Sequence, residues 1–208
     1  ISVMEGGESG EGKRTARFTI GTTQAGWTAG DVDYLCTGTD DHEQINNALN
    51  ALPAGGGEIV ILDGIYNIEG AIHVAKDNTT LRGNGNATVL KRMYNSDTTY
   101  TGIITLNDKK GCKIKDLYID GNKGNYDSDK NNGIFLGSSS SNNTITGNTC
   151  NNNSRGIYLG TSSNNNAITG NTCNNNKNNG IYLGSSSNNN TITGNTCNNN
   201  NRGIYLGT

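Results

Sequence analysis

Gly133-Ile134-Phe135-Leu136 returns as Gly156-Ile157-Tyr158-Leu159, as Gly180-Ile181-Tyr182-Leu183 and as Gly203-Ile204-Tyr205-Leu206, at intervals of 23, 24 and 23 residues. Between these segments, Thr144-Ile145-Thr146-Gly147-Asn148-Thr149-Cys150 recurs as Ala167 to Cys173 and as Thr191 to Cys197. A fixed period of this size marks a repeat architecture. The residues between are mostly Asn, Gly, Ser and Thr, which are poor helix formers. Gly-Ile-Tyr-Leu alternates apolar, aromatic, apolar, and Thr-Ile-Thr alternates polar, apolar, polar, both with the period of a strand. Two or three short strands joined by Asn/Gly/Ser turns make one coil of a solenoid. Coils stack at roughly 4.8 Å, so each strand pairs with its own copy, and strands related by translation run parallel. The repeat therefore predicts an all-β, single-stranded parallel β-helix.

Stacking turns the repeat into files. Ile134, Ile157, Ile181 and Ile204 are expected inside, with Leu136, Leu159, Leu183 and Leu206, and a second inner file holds Ile145, Ile168 and Ile192. Asn148, Asn171 and Asn195 fall at a corner, where amides bond in a ladder. Few inward side chains per coil suffice for such a core, which accommodates only 31% hydrophobic residues. With 16 basic and 18 acidic residues the net charge is −2, and without a basic run nucleic acid is not expected as the main partner. No apolar run approaches the ~20 residues that span a bilayer, so membrane insertion is not expected either. The chain opens on Ile1 without a signal-peptide pattern and reads as an excised fragment.

The same grammar continues upstream with wider spacing. Lys113-Ile114-Lys115 matches Thr144-Ile145-Thr146, and Thr80-Leu81-Arg82-Gly83-Asn84 matches Thr144 to Asn148. The excess length places loops near Lys91 to Thr101 and Asn122 to Asn132, on a flank where function tends to sit. Asp40-Asp41-His42-Glu43 reads as a capping box with Asp40 as N-cap. Ile45, Ala48, Leu49 and Leu52 follow at helical spacing until Pro53. The expected division is a flexible linker over 1–20, a cap over 21–57 with a helix at 41–52, and a β-helix over 58–208, regular from about 133. The last coil ends on Gly207-Thr208 without a cap. Natural solenoids cover such edges, so a longer native chain or another subunit is expected there.

Thr37-Gly38-Thr39-Asp40-Asp41 through Asn46-Ala48-Leu49, Gly57-Glu58-Ile59-Val60-Ile61-Leu62-Asp63-Gly64-Ile65-Tyr66-Asn67-Ile68, and Asn78-Thr79-Thr80-Leu81-Arg82-Gly83-Asn84-Gly85 resemble the opening of the pectate-lyase-like superfamily. They are similar in particular to its branch among bacteriophage tail spikes and prophage structural proteins. The resemblance covers roughly 21 to 208 and implies a right-handed helix and a carbohydrate ligand. It also implies homotrimeric assembly, and a place in a virion, prophage particle or cell-surface appendage assembled in a bacterial cytoplasm. Enzymes of the superfamily carry a Gly-His-Gly with clustered Asp, or a calcium-binding Asp/Glu cluster with an Arg base. Here His42 and His73 lack that setting, and no Asp or Glu follows Asp129.

The remaining catalytic candidates are Asp116 and Asp120, with Asp127 and Asp129 in the next loop. Paired carboxylates act as acid and base on a glycosidic bond, whereas Asp-Gly is itself a turn signal. Phe135, Tyr158, Tyr182 and Tyr205 lie between inward Ile and Leu and should form an outward file, an apolar platform for sugar rings. The bland alternatives are cross-coil stacking and a subunit interface. Outward Thr columns at 144–146, 167–169 and 191–193 resemble water-ordering arrays, but Ala167, Lys113, Lys115 and Arg82 interrupt them. Cys150, Cys173 and Cys197 share a column, with Cys36 and Cys112 elsewhere. Inward Cys behaves as a small hydrophobe, so a reduced ladder with no metal is expected; no cofactor is assigned, and calcium has no clear site. The sequence predicts a carbohydrate-binding rod, with a polysaccharide lyase or glycoside hydrolase and a purely structural shaft as the alternatives.

Overall fold

The computed structural model describes residues 16–96, 99–137 and 139–207. The chain winds through β1 (Arg17–Thr22), β2 (Tyr34–Cys36), α1 (Asp41–Ala51), β3 (Glu58–Ile61), β4 (Gly64–Ile68), β5 (Ile72–His73), β6 (Thr80–Arg92) and β7 (Thr101–Leu106). It continues through β8 (Lys113–Asp120), β9 (Asn131–Leu136), β10 (Thr144–Thr146), β11 (Thr149–Asn151) and β12 (Arg155–Leu159). Four strands complete it: β13 (Ala167–Thr169), β14 (Asn179–Leu183), β15 (Thr191–Thr193) and β16 (Arg202–Leu206). Every strand pair is parallel. One face stacks β1, β3, the start of β6, β8, β10, β13 and β15; a second, continuous with it, joins β4, the ends of β6 and β8, and β11. The third face stacks β5, β7, β9, β12, β14 and β16. The molecule is a right-handed parallel β-helix.

Register carries the core. Ile59, Leu81, Ile114, Ile145, Ile168 and Ile192 form one inner file. Ile134 to Ile204 and Leu136 to Leu206 form two more, in register from coil to coil. Burial is complete through Ile181 and declines at the last rung, where Ile204 is 48% and Leu206 61% exposed.

From β10 onward each coil turns three corners, and each of these corners carries an asparagine ladder. Asn148 N–H donates to Asn171 Oδ1 at 3.0 Å, and Asn171 N–H to Asn195 Oδ1 at 2.9 Å. The same pattern links Asn143 to Asn166 to Asn190, and Asn153 to Asn176 to Asn200. Buried backbone N–H groups at a corner cannot join a strand ladder and need another acceptor; the amide of the next coil supplies it. Sequence reading found the first ladder only, because the other two lie inside Asn runs where any residue matches any other.

At the first corner the chain reverses through a left-handed residue: Gly147, Gly170 and Gly194 have φ of 66°, 63° and 65°. A Cβ at Gly147 would stand 2.6 Å from Asp116 Oδ1. Asp116 occupies the equivalent slot one coil earlier, with φ 55°.

Helix α1 packs Ile45, Ala48 and Leu49 against the first coil. The capping box does not form. Asp40 adopts a left-handed conformation, φ 50° and ψ 35°, and makes no side-chain cap bond. The neighbouring Asp41 is the buried carboxylate: it accepts from Thr37 N, Gly38 N and Asn67 N at 3.1, 2.8 and 2.8 Å. The helix stops at Ala51, because Leu52 precedes proline and is extended. The expected linker over 1–20 is corrected at its end, since Arg17 to Ile20 pair with Glu58 to Ile61; residues 1–15 lie outside the described residues.

Candidate functional site

Alternation along β12, β14 and β16 sends Ile and Leu inward and the aromatic between them outward. Phe135, Tyr158, Tyr182 and Tyr205 are therefore half-buried in one outward file. Phe135 and Tyr158 are tilted with centroids 5.1 Å apart; Tyr158 and Tyr182 meet edge to face at 4.8 Å; Tyr182 and Tyr205 stack at 5.2 Å. Such pairs hold one another in place, so the file is a corrugated strip.

Three further side chains complete the strip, and sequence reading missed them. Tyr100, from the segment between β6 and β7, stands edge-on to Tyr158 at 5.3 Å and is 42% exposed. Arg155 begins β12 and places its guanidinium 5.0, 5.2 and 5.3 Å from the rings of Tyr100, Tyr158 and Tyr182. Arg202 occupies the same slot two coils on and lies 4.8 Å from the Tyr205 ring. The available signal was this shared slot, immediately before each Gly-Ile-Tyr-Leu. Tyr100 left none, since its approach to Tyr158 joins residues far apart in sequence. Burial, together with Tyr182 and Tyr100, raises the Tyr158 hydroxyl above its ordinary value, while Arg155 opposes this; the ring stays neutral at physiological pH.

The two predicted loops build the flank of the strip. Ser128 Oγ donates to Ser96 O at 2.6 Å, and Asn131 Nδ2 to Asn95 Oδ1 at 2.9 Å. Beneath them lies Arg92, fully buried, with its guanidinium 4.4 Å from the Tyr94 ring. It donates to Asn132 O at 2.6 Å and Asn131 Oδ1 at 3.4 Å, and burial lowers its pKa. Lys177 reaches Asp129 at 3.0 Å and Asp127 at 3.3 Å, so these loop carboxylates are neutralised by a cation of a later coil.

Asp116 and Asp120 are not brought together. They stand at opposite ends of one strand segment, and four extended residues span about 13 Å, beyond the ~5–9.5 Å used across a glycosidic bond. Asp116 makes the corner and a 3.6 Å ion pair with Lys115. Asp120 Oδ1 accepts from Asn122 N and Asn152 Nδ2, each at 3.0 Å, beside a 340 Å³ depression that includes Lys123 and Gly124. Both carboxylates form turns. The outward Thr columns bond along the rod, with Thr169 Oγ1 to Thr146 Oγ1 at 3.1 Å. Upstream, Arg82 and Arg17 occupy the same face, paired with Glu58 at 2.8 and 3.3 Å.

Parallel stacking in register, a capping helix and three ladders define the class: this is a right-handed parallel β-helix protein. Residues 58–208 match the family described as "Periplasmic copper-binding protein (NosD)", and the chain belongs to that family. Comparison with curated protein sequences returns no match. Among solved structures the fold is similar to the A-module of mannuronan C-5 epimerase AlgE4 from Azotobacter vinelandii. That match has a TM-score of 0.65 and 20% identity, over 89% of this chain and 59% of the other. It is also similar to ORF18 of Geobacillus virus E2, at TM-score 0.54 and 16% identity, over 87% of this chain and 42% of that one. An alginate lyase from Paenibacillus sp. str. FPU-7 gives TM-score 0.52 and 16% identity, over 92% and 58%. The chain thus spans between about two fifths and three fifths of these neighbours' length.

Copper favours imidazole or sulfur donors. The described residues do not fit it. His42 and His73 lie in the cap helix and β5, away from the buried Cys150 and Cys173 and the half-buried Cys197. The Cys150 thiol and burial hold Cys173 well above its ordinary pKa; Cys173 and burial raise Cys197 likewise. Among the described residues no three His, Cys, Asp or Glu side chains gather around a metal position.

Proposed function

We propose that this chain is the carbohydrate-binding rod of a phage or prophage tail, or of a cell-surface appendage, and that it engages surface polysaccharide. The observation that carries the proposal is the strip of Tyr100, Phe135, Tyr158, Tyr182 and Tyr205 with two guanidinium groups among the rings. Aromatic side chains that keep one face or edge in water suit the apolar faces of sugars, and their hydroxyls suit the sugar hydroxyls. The named substrates of the epimerase and the lyase, and the phage origin of the third neighbour, support a polysaccharide role. Binding without turnover is favoured by the separation of Asp116 from Asp120. The experiment is a glycan-array screen of the purified chain, with reducing-sugar and unsaturated-product assays on each hit. Binding without products is expected, abolished in Tyr158→Ala and Tyr182→Ala with folding intact. Products overturn the binding-only reading, and silence on every glycan leaves the structural shaft.

A further inference from the structure

We infer that Asn84 is a self-modifying site, where the chain converts an asparagine amide to a carboxylate without an enzyme, while the coils hold two asparagines of the same dipeptide unreactive. Asn-Gly is the pair in which a backbone nitrogen most easily attacks the preceding side chain, because glycine places no Cβ in the way. It occurs three times, as Asn84-Gly85, Asn132-Gly133 and Asn179-Gly180. Three features of the fold set the first apart.

The first is the asparagine ladder. Thr80 to Asn84 matches Thr144 to Asn148 in sequence, which would put Asn84 in the corner slot. Register slips here: Gly85, not Asn84, lies opposite Leu117, whose N–H donates to Asn148 Oδ1. Asn84 is thus displaced from the ladder. Its N–H donates to Thr88 Oγ1 at 3.0 Å; its side chain is exposed and makes no hydrogen bond among the described residues. Asn132, by contrast, is fully buried, and its Nδ2 donates to Thr101 O at 3.2 Å and Lys130 O at 3.1 Å. Asn179 is buried at the start of β14.

The second is room. Closing a succinimide ring crowds the glycine that follows. A Cβ at Gly133 would stand 2.5 Å from Gly156 O, and one at Gly180 2.7 Å from Gly203 O, whereas nothing lies within 4 Å of one at Gly85. The third is backbone freedom. Gly133 and Gly180 lie in strands paired on both sides. Around Gly85 the pairing of β6 with β8 breaks register twice, between Arg82 and Gly85 and between Gly85 and Val89. The Gly85 nitrogen therefore reaches the Asn84 side chain without parting a regular ladder.

The chemistry needs only water. Gly85 N gives its proton to hydroxide and bonds to Asn84 Cγ; the Cγ–Nδ2 bond breaks, and the amide nitrogen takes a proton from solvent and leaves as ammonia. Water then opens the ring at either carbonyl, giving aspartate or an isoaspartate with one more atom in the backbone. Nothing is oxidised or reduced. The product carries one additional negative charge, in the same bulge as Asn86, whose Oδ1 accepts from Thr149 Oγ1 at 3.0 Å.

The test incubates the full chain at neutral and at mildly alkaline pH, and follows each Asn-Gly by peptide mass mapping and the acidic form by ion exchange. Asn84 is expected to convert at least about tenfold faster than Asn132 and Asn179, since the buried sites must first open locally and lose their hydrogen bonds. Its rate should rise with pH, because the reaction begins with loss of the Gly85 proton. In concentrated urea the three rates should converge, the dipeptide being the same. Asn84→Gln, at an exposed side chain without a partner, should leave the circular dichroism unchanged and remove the early acidic form, because the larger ring closes more slowly. Conversion of Asn84 in the folded chain no faster than that of Asn132 and Asn179 overturns the inference. So does an acidic form that arises in Asn84→Gln at the parent's rate.

Discussion

Asn171 shows how much one residue does in this fold. It is buried, its Oδ1 accepts from Asn148 N and Nδ2 at 3.0 and 3.1 Å, and its Nδ2 donates to Ile145 O at 2.9 Å and Asn195 Oδ1 at 3.0 Å. Asn171→Ala removes both partners at once and leaves a buried N–H and a buried carbonyl unmet, at about 1–3 kcal/mol each. The expected loss is about 3 kcal/mol, read as a lower urea midpoint with an unchanged slope. Asn171 was legible in the sequence because Gly170 before it marks the corner. Asn166 and Asn176, which do the same work, were hidden in polar runs. Arg92 was equally hidden: nothing in Leu-Lys-Arg-Met tells a buried cation from an exposed one, since its acceptors come from the start of β9, some forty residues later.

At the scale of elements, the inward files of β9, β12, β14 and β16 were legible because translation along a solenoid copies register into sequence. The cap helix was legible from its apolar spacing, and its first turn was not. Asp40 and Asp41 are the same residue type, and backbone φ alone assigns one to the turn and the other to the interior. The loop between β8 and β9 was legible as excess length, but not its attachment to Lys177. That attachment predicts a pH dependence. Hydrogen bonding to Lys177, then to Asn178, lowers the Asp129 pKa. A carboxylate whose folded pKa is depressed stabilises the fold above its unfolded value and loses that contribution as pH falls through the folded value. Lys177→Ala should therefore have a lower thermal midpoint than the parent above about pH 4, and the two curves should converge below it. The Asp129 carboxyl, followed by NMR, should titrate at higher pH in the variant. The site is exposed, so the difference is small and shrinks with salt.

The whole molecule is a stack in which coils contact their neighbours and little else, so stability is close to a sum over coils and their interfaces. Removing residues 167–190 joins Asn166 to Thr191, and Ala167 and Thr191 are register partners; every file closes again one step shorter. The shortened chain should keep its far-ultraviolet circular dichroism per residue and a single unfolding transition, at a somewhat lower midpoint. Deleting a segment out of step with the period, such as 167–178, should abolish the transition, because a strand shifted against its partner turns its apolar residues outward.

The corner asparagines carry a consequence for inheritance. Each amide serves its own turn and the turn of the adjoining coil, so a coil brings with it everything its successor requires. The length of the rod is then counted in whole units, and a slip between two similar stretches of the gene changes that count by one without creating a new kind of contact. A protein of this design can lengthen or shorten its reach in a single genetic event, while the outward aromatic residues are duplicated or lost together with the coil that bears them.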